Sequence, residues 1–258
     1  MKIFVCIPAR YQSTRLPGKP LLTINGKSII RHVYDKCLQL HNYFEIQDIV
    51  VLTDDDRIEN EVNNFNGKSV MITDECINGT DRIIHYINKH LKFKYNINDD
   101  VIIVNVQGDE PFINPINIKK AIDNFLDKRQ DQNMVCSTLH HTTQDKDIIS
   151  LKSRGKAVLD NNNNIMYCSR NPIPSNKNEV IISNYDYNIH IGVFVFRASY
   201  LRDHYFNNNT KLQLTEDIEW MKIMEQGFKI NSVQVDEQER GVDTMDDYTY
   251  LLNKYTNT

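Results

Sequence analysis

The 258-residue sequence has no apolar run of 18 residues, so no segment reads as a membrane-spanning helix, and the few apolar residues before Arg10 are too short for a secretory leader. No GxGxxG occurs, which excludes the dinucleotide-binding fingerprint. Gly26-Lys27-Ser28 has the ending of a Walker A loop, but Leu21 stands where its first glycine is required. The five cysteines (Cys6, Cys37, Cys76, Cys136 and Cys168) are odd in number, widely spaced and form no CxxC. They read as small core hydrophobes in a reducing cytosol, not as a disulfide framework. His140-His141 is adjacent, not at the i, i+4 spacing that would present two zinc ligands on one helix face. A basic stripe is also missing: the net charge is −4 and the cations gather in one cluster, which argues against a nucleic-acid surface. The expectation is a cytoplasmic protein with no membrane insertion and no nucleic-acid partner.

What is present is alternation. Short apolar runs at Val5–Ile7, Ile49–Thr53, Val70–Ile72, Val101–Val106 and Met134–Thr138 are separated by segments of helical period at Ser28–Leu40, Asp56–Phe65, Asp81–Leu91 and Asn117–Arg129. This order predicts βαβ units and a mixed, mostly parallel sheet flanked by helices, an α/β fold of the Rossmann-like kind. Beyond about residue 140 the texture changes. Lys156–Leu159 and Ile165–Cys168 read as a hairpin turning at the Asn161–Asn164 run, Ile189–Arg197 as a strand, and Leu214–Gln226 as one helix opened near Thr215 and Glu216. No Pro- or Ser-rich linker divides the chain, so residues 1–258 are expected to form one domain with a subdomain inserted at approximately 140–215.

The densest chemistry follows the first strand, in Ile7-Pro8-Ala9-Arg10-Tyr11-Gln12-Ser13-Thr14-Arg15-Leu16-Pro17-Gly18-Lys19-Pro20. Three cations on one short, proline-stiffened loop repel each other unless a polyanion faces them, and a triphosphate is the simplest candidate. A second loop, Gln107-Gly108-Asp109-Glu110-Pro111, follows the strongly apolar run Val101–Val106. In a parallel sheet both loops fall beyond the carboxyl ends of their strands, so cations and acids should share one rim. An acid facing a triphosphate needs a cation between them, and Mg²⁺ held by one or two carboxylates is the natural one. Asp109 and, from the far end of the chain, Asp243 are the candidates. Taken alone, Asp243 reads better as a turn residue or as the cap of a helix beginning near Met245. Asp54-Asp55-Asp56 reads as a strand end and a cap for the next helix.

R-Y-x-S-T-R-L-P-G-K-P after a first strand resembles the nucleotide-binding signature of the sugar nucleotidyltransferases, and most closely that of the CMP-Kdo synthetases (3-deoxy-manno-octulosonate cytidylyltransferases). The resemblance continues through Gly79-Thr80-Asp81-Arg82, Val106-Gln107-Gly108-Asp109-Glu110-Pro111, Ser169-Arg170, His190-Ile191-Gly192 and Gly241-Val242-Asp243-Thr244. It spans nearly the whole chain in the family's order. It implies a nucleotidyltransferase (GT-A-like) fold, an embedded subdomain for sugar binding and dimerisation, a homodimer, and formation of a CMP-sugar from CTP and an acidic sugar. The resemblance leaves open whether such a product feeds lipopolysaccharide, capsule or another glycan.

The resemblance also assigns residues. Arg10, Arg15 and Lys19 would hold the triphosphate. Pro8 and Ala9 would read the pyrimidine through backbone atoms, with Gly79, Thr80, Arg82 and Gln107 completing the nucleotide side. Asp109 and Asp243 match the metal-binding aspartates. Gln107, Arg170, His190 and Glu219 match positions on the sugar side, although a lone His beside a Gly on a strand more often has a structural role. Two departures stand out: Trp220 replaces the glutamine of a Glu-Gln pair, and Phe194 replaces a tyrosine. The loss of one amide and one hydroxyl points to a modified Kdo or another acidic sugar. The rival readings are the same chemistry on a different acidic sugar, a nucleotide-binding regulatory protein without turnover, and a phosphate-binding interaction module.

Overall fold

The computed structural model describes residues 1–13, 15–97, 100–205, 209–236 and 240–256; Thr14 of the cation loop lies outside them. The chain divides into two compact units, one of residues 1–119, 197–203 and 239–258, the other of residues 120–196 and 204–238.

In the first unit the strand Lys2–Pro8 lies between two parallel neighbours, Ile46–Thr53 and Val101–Val106, and Ser69–Met71 pairs in parallel beyond Ile46–Thr53. Phe4, Val5, Cys6 and Ile7 are fully buried, as are Ile102, Ile103 and Val104. Continuous apolar runs of this kind suit parallel strands covered on both faces. The helices between strands start where short polar side chains cap them. Ser28 accepts the Arg31 N–H ahead of Ile29–Leu38, Asp55 the Arg57 N–H ahead of Asp56–Asn64, and Asn78 the Asp81 N–H ahead of Gly79–Tyr86. The segment expected as a helix over Asp81–Leu91 runs as an α-helix to Tyr86 and finishes as a π-turn at Ile87–Leu91.

The second unit is mostly antiparallel. Met134–Thr143 pairs antiparallel with Tyr187–Arg197 and in parallel with Lys229–Gln234. Tyr187–Arg197 pairs with Lys156–Leu159, which forms the expected hairpin with Ile165–Ser169. A bulge between Ile191 and Phe194 shifts the register beside Gly192.

One expectation is corrected here. Leu214–Gln226 is not a single helix but two, Lys211–Glu216 and Met221–Glu225. Asp217 at φ 54° ends the first, its N–H closing on the Gln213 carbonyl. Aspartate tolerates this left-handed conformation better than most residues. Glu219 and Trp220 therefore sit in a turn between helices, not on a helix.

All five cysteines are unpaired, and all but Cys76 are buried. Burial pushes the thiols of Cys6, Cys37, Cys136 and Cys168 well above their ordinary range, which suits core packing and not nucleophilic chemistry.

Candidate active site

The first unit brings the cation loop and the two aspartates together. Gly18, at φ 70°, opens a single 3₁₀ turn, Lys19–Leu21, and this turn holds Lys19 in place. Its ammonium lies 2.6 Å from Asp109 Oδ2 and 3.4 Å from Asp243 Oδ1, with only 12% of the side chain exposed. Burial works against the charge on Lys19, but Asp109 and Asp243 outweigh it and raise its pKa. Arg15 Nη2 reaches Asp243 at 3.3 Å, while Arg10 is exposed. Two of the three cations, Lys19 and Arg15, thus share one rim with the acids.

Local sequence explains how residues 90 and 224 positions from Lys19 converge on it. Val242 donates its N–H to the Asp109 carbonyl at 2.8 Å, which ties the Asp243 segment to the Asp109 turn. Beneath them Leu16, Ile24, Ile29, Val242 and Leu251 form one buried cluster, so the cation loop is anchored to the Asp243 segment by its own leucine. A Cβ on Gly108 would lie 2.7 Å from the Pro8 carbonyl oxygen, so the Asp109 turn can pass the end of the first strand only with glycine there.

Asp243 is not a helix cap. Thr244 Oγ1 accepts the Asp247 N–H, and Asp247 Oδ2 accepts the N–H groups of Asp243 and Thr244. This reciprocal arrangement opens the helix Met245–Thr256 and leaves the Asp243 carboxylate for Lys19 and Arg15.

Among the nucleotide-side candidates, Gly79 lies against the Pro8 ring with the Gln107 amide oxygen beside it. Ala9, Thr80 and Arg82 are buried. Arg82 Nη2 donates to Asp54 at 2.7 Å, and its Nη1 is buried with no partner among the described residues. Asp55 takes the capping role expected of the Asp54–Asp56 run.

The sugar-side candidates lie in the second unit. His190 is packed by the rings of Trp220 and Phe194, with centroids at 4.8 and 5.1 Å. Burial, then His140 and Arg170, push its pKa down to about 3, so the ring is neutral. Its Nε2 lies 2.8 Å from Thr138 Oγ1, and that hydroxyl donates to the Val193 carbonyl at 2.7 Å. His190 must therefore donate from Nε2, which leaves Nδ1 as an acceptor. Arg170 directs its guanidinium at the carbonyls of Ser153 and Asp217, at 2.9 and 2.7 Å. Glu219 is half-buried.

Two polar residues bonded to the Arg170 backbone, Glu216 and Lys156, were read from the sequence only as parts of a helix start and a strand. Glu216 accepts from Ser169 Oγ, Tyr167 Oη and the Arg170 N–H. Lys156, fully buried, donates to the carbonyls of Leu151, Arg154 and Arg170. Burial, then Lys152 and Arg170, lower its pKa to about 8. A lysine within an apolar strand carries no local signal of that role.

Residues 4–230 match the cytidylyltransferase family. The chain belongs to that family. Among cytidylyltransferases, the 3-deoxy-manno-octulosonate cytidylyltransferase of Protochlamydia amoebophila is 37% identical over 95% of this chain and 91% of its own. The 8-amino-3,8-dideoxy-manno-octulosonate cytidylyltransferase of Shewanella frigidimarina is 36% identical over 89% of each. The structure of a CMP:2-keto-3-deoxy-manno-octonic acid synthetase complexed with CTP superposes with a TM-score of 0.85 at 31% identity, covering 100% of this chain and 99% of that one. The α/β nucleotidyltransferase fold expected from the sequence is thus the one observed.

Proposed function

We propose that this cytidylyltransferase activates a 3-deoxy-2-ulosonic acid, Kdo or a Kdo-like sugar, with CTP. The anomeric hydroxyl attacks the α-phosphorus of CTP, the bond to the bridging β-phosphate oxygen breaks, and CMP-sugar and pyrophosphate result. The observation that carries this reading is the convergence of Lys19, Arg15, Asp109 and Asp243 on one rim. The likeness to a synthetase complexed with CTP supports the nucleotide.

Lys19 and Arg15, with Arg10 on the same loop, neutralise the triphosphate and the departing pyrophosphate. Each charge-assisted bond contributes about 1.5–3 kcal/mol. Two carboxylates converging on one cation make a hard-oxygen donor set that fits Mg²⁺, with the remaining positions left to phosphate oxygens and water. We assign Asp109 and Asp243 to that ion. When bound it supplies Lewis-acid stabilisation of phosphate charge and favours ionisation of the attacking hydroxyl. In-line transfer needs no covalent nucleophile, in keeping with the raised, buried thiols. His190, through Nδ1, and Glu219 are the proposed sugar contacts of the second unit, together with Arg170. Its unpaired cysteines suit a reducing compartment, so the cytoplasm is the proposed location, and a homodimer the proposed assembly on the strength of the resemblance.

A second reading concerns the acceptor. Relatives at 35–36% identity are named for an 8-amino sugar, and Trp220 and Phe194 stand where the family resemblance places an amide and a hydroxyl. Kdo modified away from its reacting carbon is the alternative acceptor.

The test is pyrophosphate release from the full chain with CTP, Mg²⁺ and a panel of acidic sugars that includes Kdo and 8-amino-Kdo. Release with either sugar supports the reading. CTP binding with no release across the panel would assign the chain to regulation instead.

A further inference from the structure

Gly18 donates its N–H to the Tyr11 carbonyl at 2.8 Å, tying Tyr11 to Gly18 with Arg10 just before the tie and Lys19 just after it. The Tyr11 ring lies against this tie: a Cβ on Gly18 would lie 3.2 Å from its ring edge and hydroxyl. Over the face of that ring lies Arg57, its guanidinium carbon 3.3 Å from the ring centroid.

Arg57 is itself held. Its Nε and Nη2 donate to Asp55 Oδ1 and Oδ2 at 2.9 and 2.7 Å, a two-pronged pair that fixes the guanidinium plane. Asp55 also accepts the Arg57 N–H as the cap of Asp56–Asn64. The Arg57 side chain is 58% exposed. Exposed ion pairs add little to stability, so a cost to the fold does not explain why a guanidinium is stacked here so closely. A guanidinium over a tyrosine face is attracted by the ring's charge distribution and resists displacement.

We propose that Arg57 is a positioning residue for nucleotide binding: oriented by Asp55, it clamps the Tyr11 ring against Gly18 and so holds the loop in the shape that presents Arg10, Arg15 and Lys19 to a triphosphate. This rests on the triphosphate reading of that loop. A loop held in advance loses less freedom when the ligand binds, so the clamp acts on CTP affinity.

The test is steady-state kinetics of the full-length enzyme, varying CTP and Kdo separately. Arg57→Ala and Tyr11→Leu are each expected to raise the KM for CTP about two- to fivefold, as suits an exposed stack. The sugar KM and thermal midpoint should stay close to wild type. The double variant should be no worse than the poorer single, because both changes break one contact. Tyr11→Phe keeps the ring face and should restore most of the CTP affinity. Asp55→Asn keeps the helix cap but loses the forked charge pair, and should fall in between.

An unchanged KM for CTP in Arg57→Ala overturns the proposal. So does an Arg57→Ala effect of full size in the Tyr11→Leu background, since Arg57 would then be meeting phosphate directly. A fall in thermal midpoint with KM unmoved makes the stack merely structural and also overturns it. Lys19→Ala, measured alongside, separates the two levels. If its KM for CTP is also unchanged, the triphosphate reading fails and takes the clamp with it; if only Arg57 is silent, the clamp alone is wrong.

Discussion

The Lys19 ammonium stands 2.6 Å from the Asp109 carboxylate, and the same nitrogen reaches Asp243 at 3.4 Å. The cation assigned to phosphate is thus shared by the two acids assigned to metal. Lys19 both neutralises a pair of carboxylates and waits beside the place where phosphate charge would arrive. Replacing it removes a ligand contact and leaves two acids facing an incoming polyanion. Lys19→Ala should raise the KM for CTP and lower kcat, with kcat/KM falling about 10- to 100-fold, the equivalent of one charge-assisted bond. An unchanged kcat/KM for CTP would remove the loop from catalysis.

Asp109→Asn and Asp243→Asn each keep the shape and delete one charge. Each should abolish turnover at saturating Mg²⁺ while circular dichroism and thermal midpoint stay near wild type. Saturation matters because excess metal can mask a weakened site. Wild-type activity in either variant under those conditions takes that residue out of the mechanism. Residual activity that climbs with Mg²⁺ would mean that the residue sets metal affinity and not the chemical step.

The parallel layer of the first unit was legible because its strands are uninterrupted apolar runs, a pattern that needs burial on both faces. The cation loop was legible from its charges and prolines, and Asp109 from its place at the end of a strongly apolar strand on the same rim. The strand Lys229–Gln234 was not. Its Asn231 and Ser232 are buried, and Asn231 is held by bonds to Asn124, Lys128 and Asn164, partners distant in sequence. Nor was the break at Asp217, since apolar periodicity runs across it and only the backbone torsion shows it. The capping box at Thr244 and Asp247 was readable in T-x-x-D, and reading it would have freed Asp243 from the capping role. Arg57 over Tyr11 links positions 46 apart, and no local pattern announces such a pair.

Acid should unfold the second unit in a predictable direction. His190 and His140 are pushed down to about 3 and about 4, in both cases chiefly by burial. Unfolded, each titrates near 6.5. Between those values the unfolded chain holds protons that the native state refuses, so stability rises with pH and is lost on acidification from about pH 6.5 toward 4. Each histidine adds a slope of up to about 1.4 kcal/mol per pH unit. Urea midpoints measured between pH 7 and 4 should show it, and His190→Asn should reduce the slope by about one proton. An identical slope in the variant would mean that His190 titrates normally in the native state.

Trp220 and Phe194 are where this chain leaves the pattern it resembles, and both pack on His190. They are 5% and 3% exposed, so both rings are packed beside a residue proposed to contact the sugar. An acceptor hydroxyl left without the missing amide or phenol costs about 1–3 kcal/mol, roughly one to two powers of ten in kcat/KM. Unmodified Kdo should then be a poorer substrate than an analogue altered away from its reacting carbon, with 8-amino-Kdo the first to try. Trp220→Gln with Phe194→Tyr should raise activity on Kdo and lower it on the better acceptor. A tyrosine hydroxyl placed in so buried a site must find a partner or destabilise the unit, so the thermal midpoint is measured with the kinetics. A lower midpoint with unchanged preference between the two sugars assigns both rings to packing. If the wild type already turns over Kdo with a kcat/KM of about 10⁴–10⁶ M⁻¹s⁻¹ and the double variant gains nothing, the aromatic pair does not set specificity.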